Sequence, residues 1–265
     1  MRLVSFNTLH GQSLEFGQTT PGRYTESLAE LDADLLALQE VDRRQPRSGV
    51  TDQATLAAES IGAVDFRFAP TLHGTPGGAW TATDGTLIGP GDRADAPMFG
   101  IALATRFPVR AWHCLVLPGA PGRWPVLAPG TRTPILIADE PRVVLAAVLD
   151  TPGGAMTVAT THLSFAPGWN VWQLRRAIAY LRPLPAPRVL LGDFNVPSTV
   201  ARYASGWQLL AKAATYPATA PKIQLDHALG HGGVPAVRHV DAVRLPISDH
   251  RALVLDLADR PDHLH

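Results

Sequence analysis

Arg188-Val189-Leu190-Leu191-Gly192-Asp193-Phe194-Asn195 is an apolar run that stops abruptly in a glycine, a carboxylate and an amide. Val189 to Leu191 is short, branched and bounded by turn residues, which reads as a strand buried on both faces. Alternation along such a strand sends Asp193 and Asn195 to the same side. The same pattern recurs at distant points of the chain. Ser5-Phe6-Asn7 closes the run Leu3 to Phe6, Leu38-Gln39-Glu40-Val41-Asp42 extends Leu35 to Leu38, and Ser248-Asp249-His250 precedes Ala252 to Leu257. Apolar strands with polar tips gather distant side chains around one point. Here those tips suit a hard metal ion and a phosphate, so the expected activity is hydrolysis of a phosphate ester.

Further strands are expected at Ile101 to Ala104, Val143 to Leu149 and Met156 to Thr160. Thr151-Pro152-Gly153-Gly154 makes the last two a hairpin. Helices are expected at Tyr24 to Leu31, at Asp52 to Ile61 behind an Asp cap, and at Val171 to Leu181. In the last, Val171, Leu174, Ile178 and Leu181 form one stripe while Arg175, Arg176 and Arg182 face away. Strands, hairpins and helices mixed in this way suggest an α/β sandwich, not a parallel βαβ series. Leu72 to Pro97 and Leu117 to Pro134 lack periodicity and carry Trp80 and Trp124, and read as substrate-facing loops. No internal boundary is visible, and the motifs at both ends must meet. One domain spanning 1–265 is expected.

Mg²⁺, or Mn²⁺ in its place, takes oxygen ligands from one or two carboxylates plus substrate phosphate. Glu40 suits the main carboxylate, and Asn7 ligates or orients without adding charge. Asp193 can take a proton from an attacking water while Asn195 fixes that water or a phosphoryl oxygen. Asp249 offers another metal ligand. His250, held protonated by Asp226, would place a cation against the phosphoryl oxygens. Each piece alone has a plainer reading: Gly192 to Asn195 as a turn, Glu40 as a solvated strand end, His162 as a core histidine. His10, His73 and His113 have only proximity to the motifs. Co-occurrence decides for the site.

With Asn7, Gln39-Glu40, Thr161-His162-Leu163, Gly192-Asp193-Phe194-Asn195, Leu225-Asp226-His227 and Ser248-Asp249-His250 in this order, the chain resembles the endonuclease/exonuclease/phosphatase superfamily, whose fold is DNase I-like. The resemblance covers nearly the full length. It implies a four-layer α/β sandwich, two packed and mostly antiparallel β-sheets flanked by helices, with the site at the mouth between the sheets. It implies Mg²⁺ at Glu40, assisted by Asn7 and Asp249, catalysis by Asp193 and Asn195, and transition-state stabilisation or leaving-group protonation by His162 and by His250, which Asp226 orients. Members often carry Gly-Asn-Ala near Gly100-Ile101-Ala102, where Ile101 replaces the Asn. The superfamily acts on many phosphate esters, so substrate does not follow from it. His162 in place of a Tyr resembles the DNase, sphingomyelinase and deadenylase branches more than the abasic-site endonucleases.

Lys plus Arg and Asp plus Glu both count 23 in 265 residues. Zero net charge disfavours nucleic acid, whose binding rests on clustered cations. A lipid or small-molecule phosphodiester is the expected substrate, with a nuclease as the alternative and a silent scaffold, for which the motifs show no erosion, as the second. Cys114 is the only cysteine, which excludes an intrachain disulfide and a thiolate metal site. No basic, then apolar, leader and no apolar run of the ~20 residues that span a bilayer is visible, so a cytoplasmic location is the default expectation.

Overall fold

A computed structural model of the chain describes residues 1–13, 17–92, 96–126 and 134–258. Two large sheets dominate. The first, in spatial order, is β16 (Val237–Val243), β17 (Ala252–Leu257), β1 (Arg2–Asn7), β4 (Leu35–Arg43), β7 (Met98–Thr105), β5 (Asp65–Gly74) and β6 (Trp80–Ala82). The second is β14 (Gln208–Leu209), β15 (Asp226–His231), β13 (Arg188–Asp193), β12 (Gly154–His162), β11 (Arg142–Thr151) and β8 (Val109–Leu117). Two ribbons pair β2 (Gln12–Ser13) with β3 (Gly17–Gln18), and β9 (Arg123–Val126) with β10 (Ile135–Ala138). Within the large sheets only β1 with β4 and β12 with β13 run parallel, so the sheets are mixed and mostly antiparallel, as expected.

Three apolar interfaces separate four layers. Tyr24 and Leu28 of helix α1 (Pro21–Ala29), with Ala54 and Ala57 of α2 (Gln53–Ser60), cover one face of the first sheet against Val4, Phe6 and Leu36. Leu3, Leu35 and Leu103 meet Val143, Val158 and Leu191 between the sheets. Leu174, Ile178 and Leu181 of α3 (Trp169–Leu181), with Ala201 of α4 (Ser198–Ser205), cover the second sheet over Leu190 and Phe194. Period-2 alternation in each central strand therefore feeds two different cores, which is why these strands read as continuous apolar runs. The Asp52 side chain caps α2 by accepting from the Thr55 amide at 3.2 Å.

The seven expected strands and three helices are present. β5, β8, β15, β16 and α4 went unread, for local reasons. β5 contains Pro70 and a register shift at Pro70/Leu72. The exposed faces of β16 and α4 leave too few apolar positions for a period. The stretch 72–97 is not wholly irregular: Leu72 to Gly74 finish β5, β6 pairs with them, and Ile88 bridges to Phe68. In 117–134, β9 is a strand, and residues 127–133 lie outside the described residues. Ile101 lies buried between the sheets with Leu103; it fills core space and does not line the mouth.

Gly192 is the tightest point of the scaffold. Its φ is 142°, and a Cβ there would sit 1.9 Å from the Thr161 carbonyl oxygen of the parallel neighbour. Gly192→Ala is therefore expected to lose about 4 kcal/mol or more of stability, or to abolish folding, because both φ and contact must relax together. A cooperative urea transition with an unchanged midpoint would refute that expectation.

Candidate active site

At one end of the inter-sheet core the motif tips converge. β1 and β4 run parallel, so Asn7 lies opposite Gln39. β12 and β13 also run parallel and bring His162 opposite Asp193. β15 pairs antiparallel with β13 and sets Asp226 opposite Asp193. Several non-glycine residues here adopt left-handed backbone, among them Glu40 (φ 55°), Asn195 (φ 51°) and Ser248 (φ 72°). Such strain persists only where surrounding contacts over-determine it, and it gathers at functional sites. For Glu40 the cause is a bulge in β4 between Leu38 and Val41. Gln39 is thereby turned into the sheet interface, where Nε2 donates to Thr160 Oγ1 at 2.9 Å. For Asn195 the backbone N–H donates to Asp193 Oδ1 at 2.9 Å, a turn that asparagine tolerates. Ser248 Oγ donates to the Asn7 carbonyl at 2.6 Å and accepts from the His250 N–H at 3.0 Å. The short side chain thus ties the last motif to the first.

The electrostatics centre on four acidic groups. Asn7 Nδ2 donates to Glu40 Oε1 at 3.0 Å and to Asp193 Oδ2 at 3.1 Å. Its Oδ1 accepts from the Leu9 N–H at 3.1 Å. Of the two roles expected for Asn7, this arrangement displays the orienting one: the amide clamps two carboxylates and keeps its oxygen for the backbone. Burial pushes Glu40 up to about 7, with Asp249 and Asp193 adding to the rise and Asn7 opposing it. Burial likewise pushes Asp193 up to about 6, against the pull of His250. Asp226 and Asp193 face one another across an antiparallel pair, a destabilising arrangement for like charges. His250 relieves it: Nδ1 lies 2.8 Å from Asp226 Oδ2 and Nε2 lies 3.8 Å from Asp193 Oδ2. Despite burial, these carboxylates raise the imidazole to about 10. It is a cation throughout the neutral range.

His162 is the opposite case. Burial, and the charges of Arg142 and His250, hold it well below the ordinary histidine range. Asn195 Nδ2 lies 3.3 Å from His162 Nε2 and also donates to the Leu163 carbonyl. A neutral ring that accepts at Nε2 satisfies this contact. One imidazole is a fixed cation and the other is neutral, and environment alone separates them.

Every site residue read from the sequence lies in this neighbourhood, Asp249 through its effect on Glu40. Two further residues were passed over. His10 has Nδ1 4.0 Å from Glu40 Oε2, and burial lowers it to about 4. Arg142 is buried with Nη2 2.9 Å from Asp139 Oδ1; its field reaches Glu40 and His162. No motif announces either one. A lone arginine opening an apolar strand was the available signal, and it went unused.

The donor set fits a hard divalent cation. Carboxylate oxygens crowd the mouth with their protons held too tightly for comfort at neutral pH, and oxygen ligands suit Mg²⁺ or Mn²⁺. Buried side-chain atoms without a hydrogen-bond partner include Gln39 Oε1 and Asp226 Oδ1, and such atoms in a folded protein call for an explanation such as an ion or water. Asp193, Asp226 and His250 also offer ligand atoms within 4.8 Å of one another. Since His250 is engaged as a cation by both carboxylates, that trio is better described as an ion network than as a metal centre.

Comparison with known proteins bears on this arrangement. The model of the Endonuclease/Exonuclease/phosphatase family matches residues 4–250. The chain belongs to that family. No curated protein sequence matches it. Among solved structures it is similar to an endonuclease/exonuclease/phosphatase from Beutenbergia cavernae, at 21% identity and TM-score 0.65, over 97% of this chain and 71% of that one. It is similar to a mannosyl-6-phosphatase of Bacteroides thetaiotaomicron, at 16% identity and TM-score 0.63, over 97% and 99% of the two chains. It is also similar to sphingomyelinase C of Streptomyces griseocarneus, at 15% identity and TM-score 0.58, again over 97% and 99%. At these identities the likeness establishes the sandwich fold. A hydrolase of phosphate esters is the coarse activity that family membership supports.

Proposed function

We propose that the chain is a Mg²⁺-dependent phosphoesterase that acts on a lipid or small-molecule phosphodiester by in-line attack of a water. The observation that carries this reading is the placement of His250 between Asp226 and Asp193, with Asn7 joining Asp193 to Glu40. A buried cation fixed beside a carboxylate with a raised pKa is what hydrolysis of an anionic ester needs. Asp193, poised near neutrality, takes the proton of the attacking water. The Asn195 side chain, already donating toward His162 and Leu163, positions the phosphoryl group. The His250 cation faces the charge that develops on the phosphoryl oxygens, and its two carboxylates keep it from needing to reorganise. Glu40, oriented by Asn7, would hold a divalent cation together with Asp249, and that cation would add to the neutralisation of phosphoryl charge. Arg142 and neutral His162 complete the wall on the β11–β12 side.

The substrate class rests on charge and on the mouth's surroundings. Net charge is zero. The β9–β10 ribbon rises from between β8 and β11, at the same end as His162, and shows solvent the apolar side chains Ile135 and Leu136. A mannosyl-6-phosphatase and a sphingomyelinase C among the structural neighbours are compatible with non-nucleic-acid esters. Among the described residues no helix is long and apolar enough to cross a membrane.

The test is Mg²⁺-dependent phosphate or headgroup release from sphingomyelin, glycerophosphodiesters, sugar monophosphates, plasmid and single-stranded oligonucleotide. Cleavage confined to nucleic acid would overturn the substrate class. No cleavage of any of them, with no Mg²⁺ binding, would overturn the enzyme. The pH dependence follows from the two central groups. Asp193 must be unprotonated, so kcat/KM should rise as pH passes about 6. His250 must be protonated, so it should fall near 10. A profile flat across the acid limb would remove Asp193 from the role of base.

A further inference from the structure

Zero net charge hides a polarised surface. Between Thr151 and Leu225 the chain carries seven Arg or Lys and a single acidic residue, Asp193, which is buried at the site. This segment builds α3 and α4, which pack side by side as the outer layer over the second sheet. Neither helix contains an Asp or Glu. Arg175, Arg176, Arg182 and Arg202 are all exposed on it. Among them stand apolar and aromatic side chains that a soluble face would ordinarily cover: Tyr203 is 81% exposed and Trp172 38%. Arg176 lies over the Trp172 ring at 5.8 Å, and Arg202 over the Tyr203 ring at 5.9 Å. A shallow depression of about 310 Å³ between the two helices is floored by Val171, Val200 and Ala204, with Arg175 and Tyr203 at its rim.

We propose that the α3–α4 face is a docking surface for an anionic phospholipid bilayer. Arginines around exposed Trp and Tyr, with acidic groups excluded, form the pattern that seats a helix in the headgroup layer. Nucleic acid would stack its bases on exposed rings, but Arg176 and Arg202 already lie over Trp172 and Tyr203. The aliphatic floor of Val171, Val200 and Ala204 suits acyl chains better. Two helices lying side by side also leave no single helix free to enter a groove. The face borders the mouth: α3 begins seven residues after His162, α4 three after Asn195, and Asn170 Nδ2 donates to the Asn195 carbonyl at 3.0 Å. A chain seated on this face holds its site at the bilayer surface. Docking goes beyond the proposed hydrolysis and stands whether or not that reaction occurs.

The experiment is co-sedimentation of the full chain with vesicles of phosphatidylcholine alone, or mixed with phosphatidylglycerol, with both wild type and Asp193→Asn so that binding is read apart from turnover. Partitioning onto the anionic vesicles that weakens with added salt is expected. Each arginine near the surface is worth about fivefold, so Arg175→Gln/Arg176→Gln should lower partitioning by ~25-fold. Tyr203→Ser should also lower it, while hydrolysis of a water-soluble ester and the melting temperature stay unchanged. Equal binding to both vesicle types, absence of binding, or retention of binding in these variants would overturn the proposal. Tight binding to an oligonucleotide that the same arginine substitutions abolish would reassign the face to nucleic acid.

Discussion

Asp193→Asn is expected to lose about 10³-fold or more in kcat and yet to melt higher than the wild type. The loss follows from its place as the base, since a positioned general base contributes about 10²–10⁴-fold. The gain follows from linkage. In the folded chain Asp193 is raised from 3.8 to about 6, so its stabilising contribution is present below about 4 and lost as pH rises through 6. Above that, the wild type carries a buried charge that the amide does not. The free energy of that rise, less the Asn7 contact that the amide weakens, comes to about 1–2 kcal/mol, or roughly 3–6 °C for a chain of this size. The comparison belongs in chelator, where no cation compensates the charge. The gap in melting temperature should open between about pH 4 and 6 and persist above it. Equal melting temperatures at every pH would mean that the carboxylate is not strained, and full turnover would remove it from the chemistry.

His250→Ala is the second large effect, and here activity and stability fall together. The substitution leaves fully buried Asp226 opposite Asp193 with no cation between them. Removing one member of a buried ion pair costs about 3–5 kcal/mol, a fall of roughly 10 °C. Loss of preorganised charge at the phosphoryl group should lower kcat by about 10²–10³-fold. The sign with pH is fixed by the raised value of about 10: the stabilisation by His250 is present below ordinary histidine values and vanishes as pH rises through 10. The double variant Asp226→Asn/His250→Gln separates the two roles. It should recover part of the stability, because Asp226 no longer sets a second buried charge opposite Asp193, and none of the activity. Recovery of turnover in that variant would reduce the imidazole to a structural part.

Much of this was legible in one dimension. The strand runs could be read because central strands in a four-layer sandwich are buried on both faces, so their apolar character is continuous. The tips could be read because carboxylates and amides close such runs at several places in one chain, and their co-occurrence, not any single tip, marks a site. The edge elements escaped because an edge strand or outer helix is selected on one face only, and β8, β16 and α4 present weak patterns there. His10 was set aside and Arg142 escaped for another reason: nearness to a motif or to a strand end is a weak signal in the chain, and their significance lies in their distance to Glu40 and His162.

The sequence by itself determined the fold family, the convergence of Asn7, Glu40, His162, Asp193, Asp226 and His250, and the coarse chemistry of phosphate esters, because residue type at a strand tip limits what the tip can do. Only the tertiary structure decided which imidazole is charged and which is neutral, how Asn7 spends its amide, and why Glu40 and Asp193 hold their protons near neutrality. Those properties depend on burial and on the charges a few ångströms away. The basic face of α3 and α4 belongs to the same lesson: a net charge of zero is a sum, and binding responds to where the charges lie.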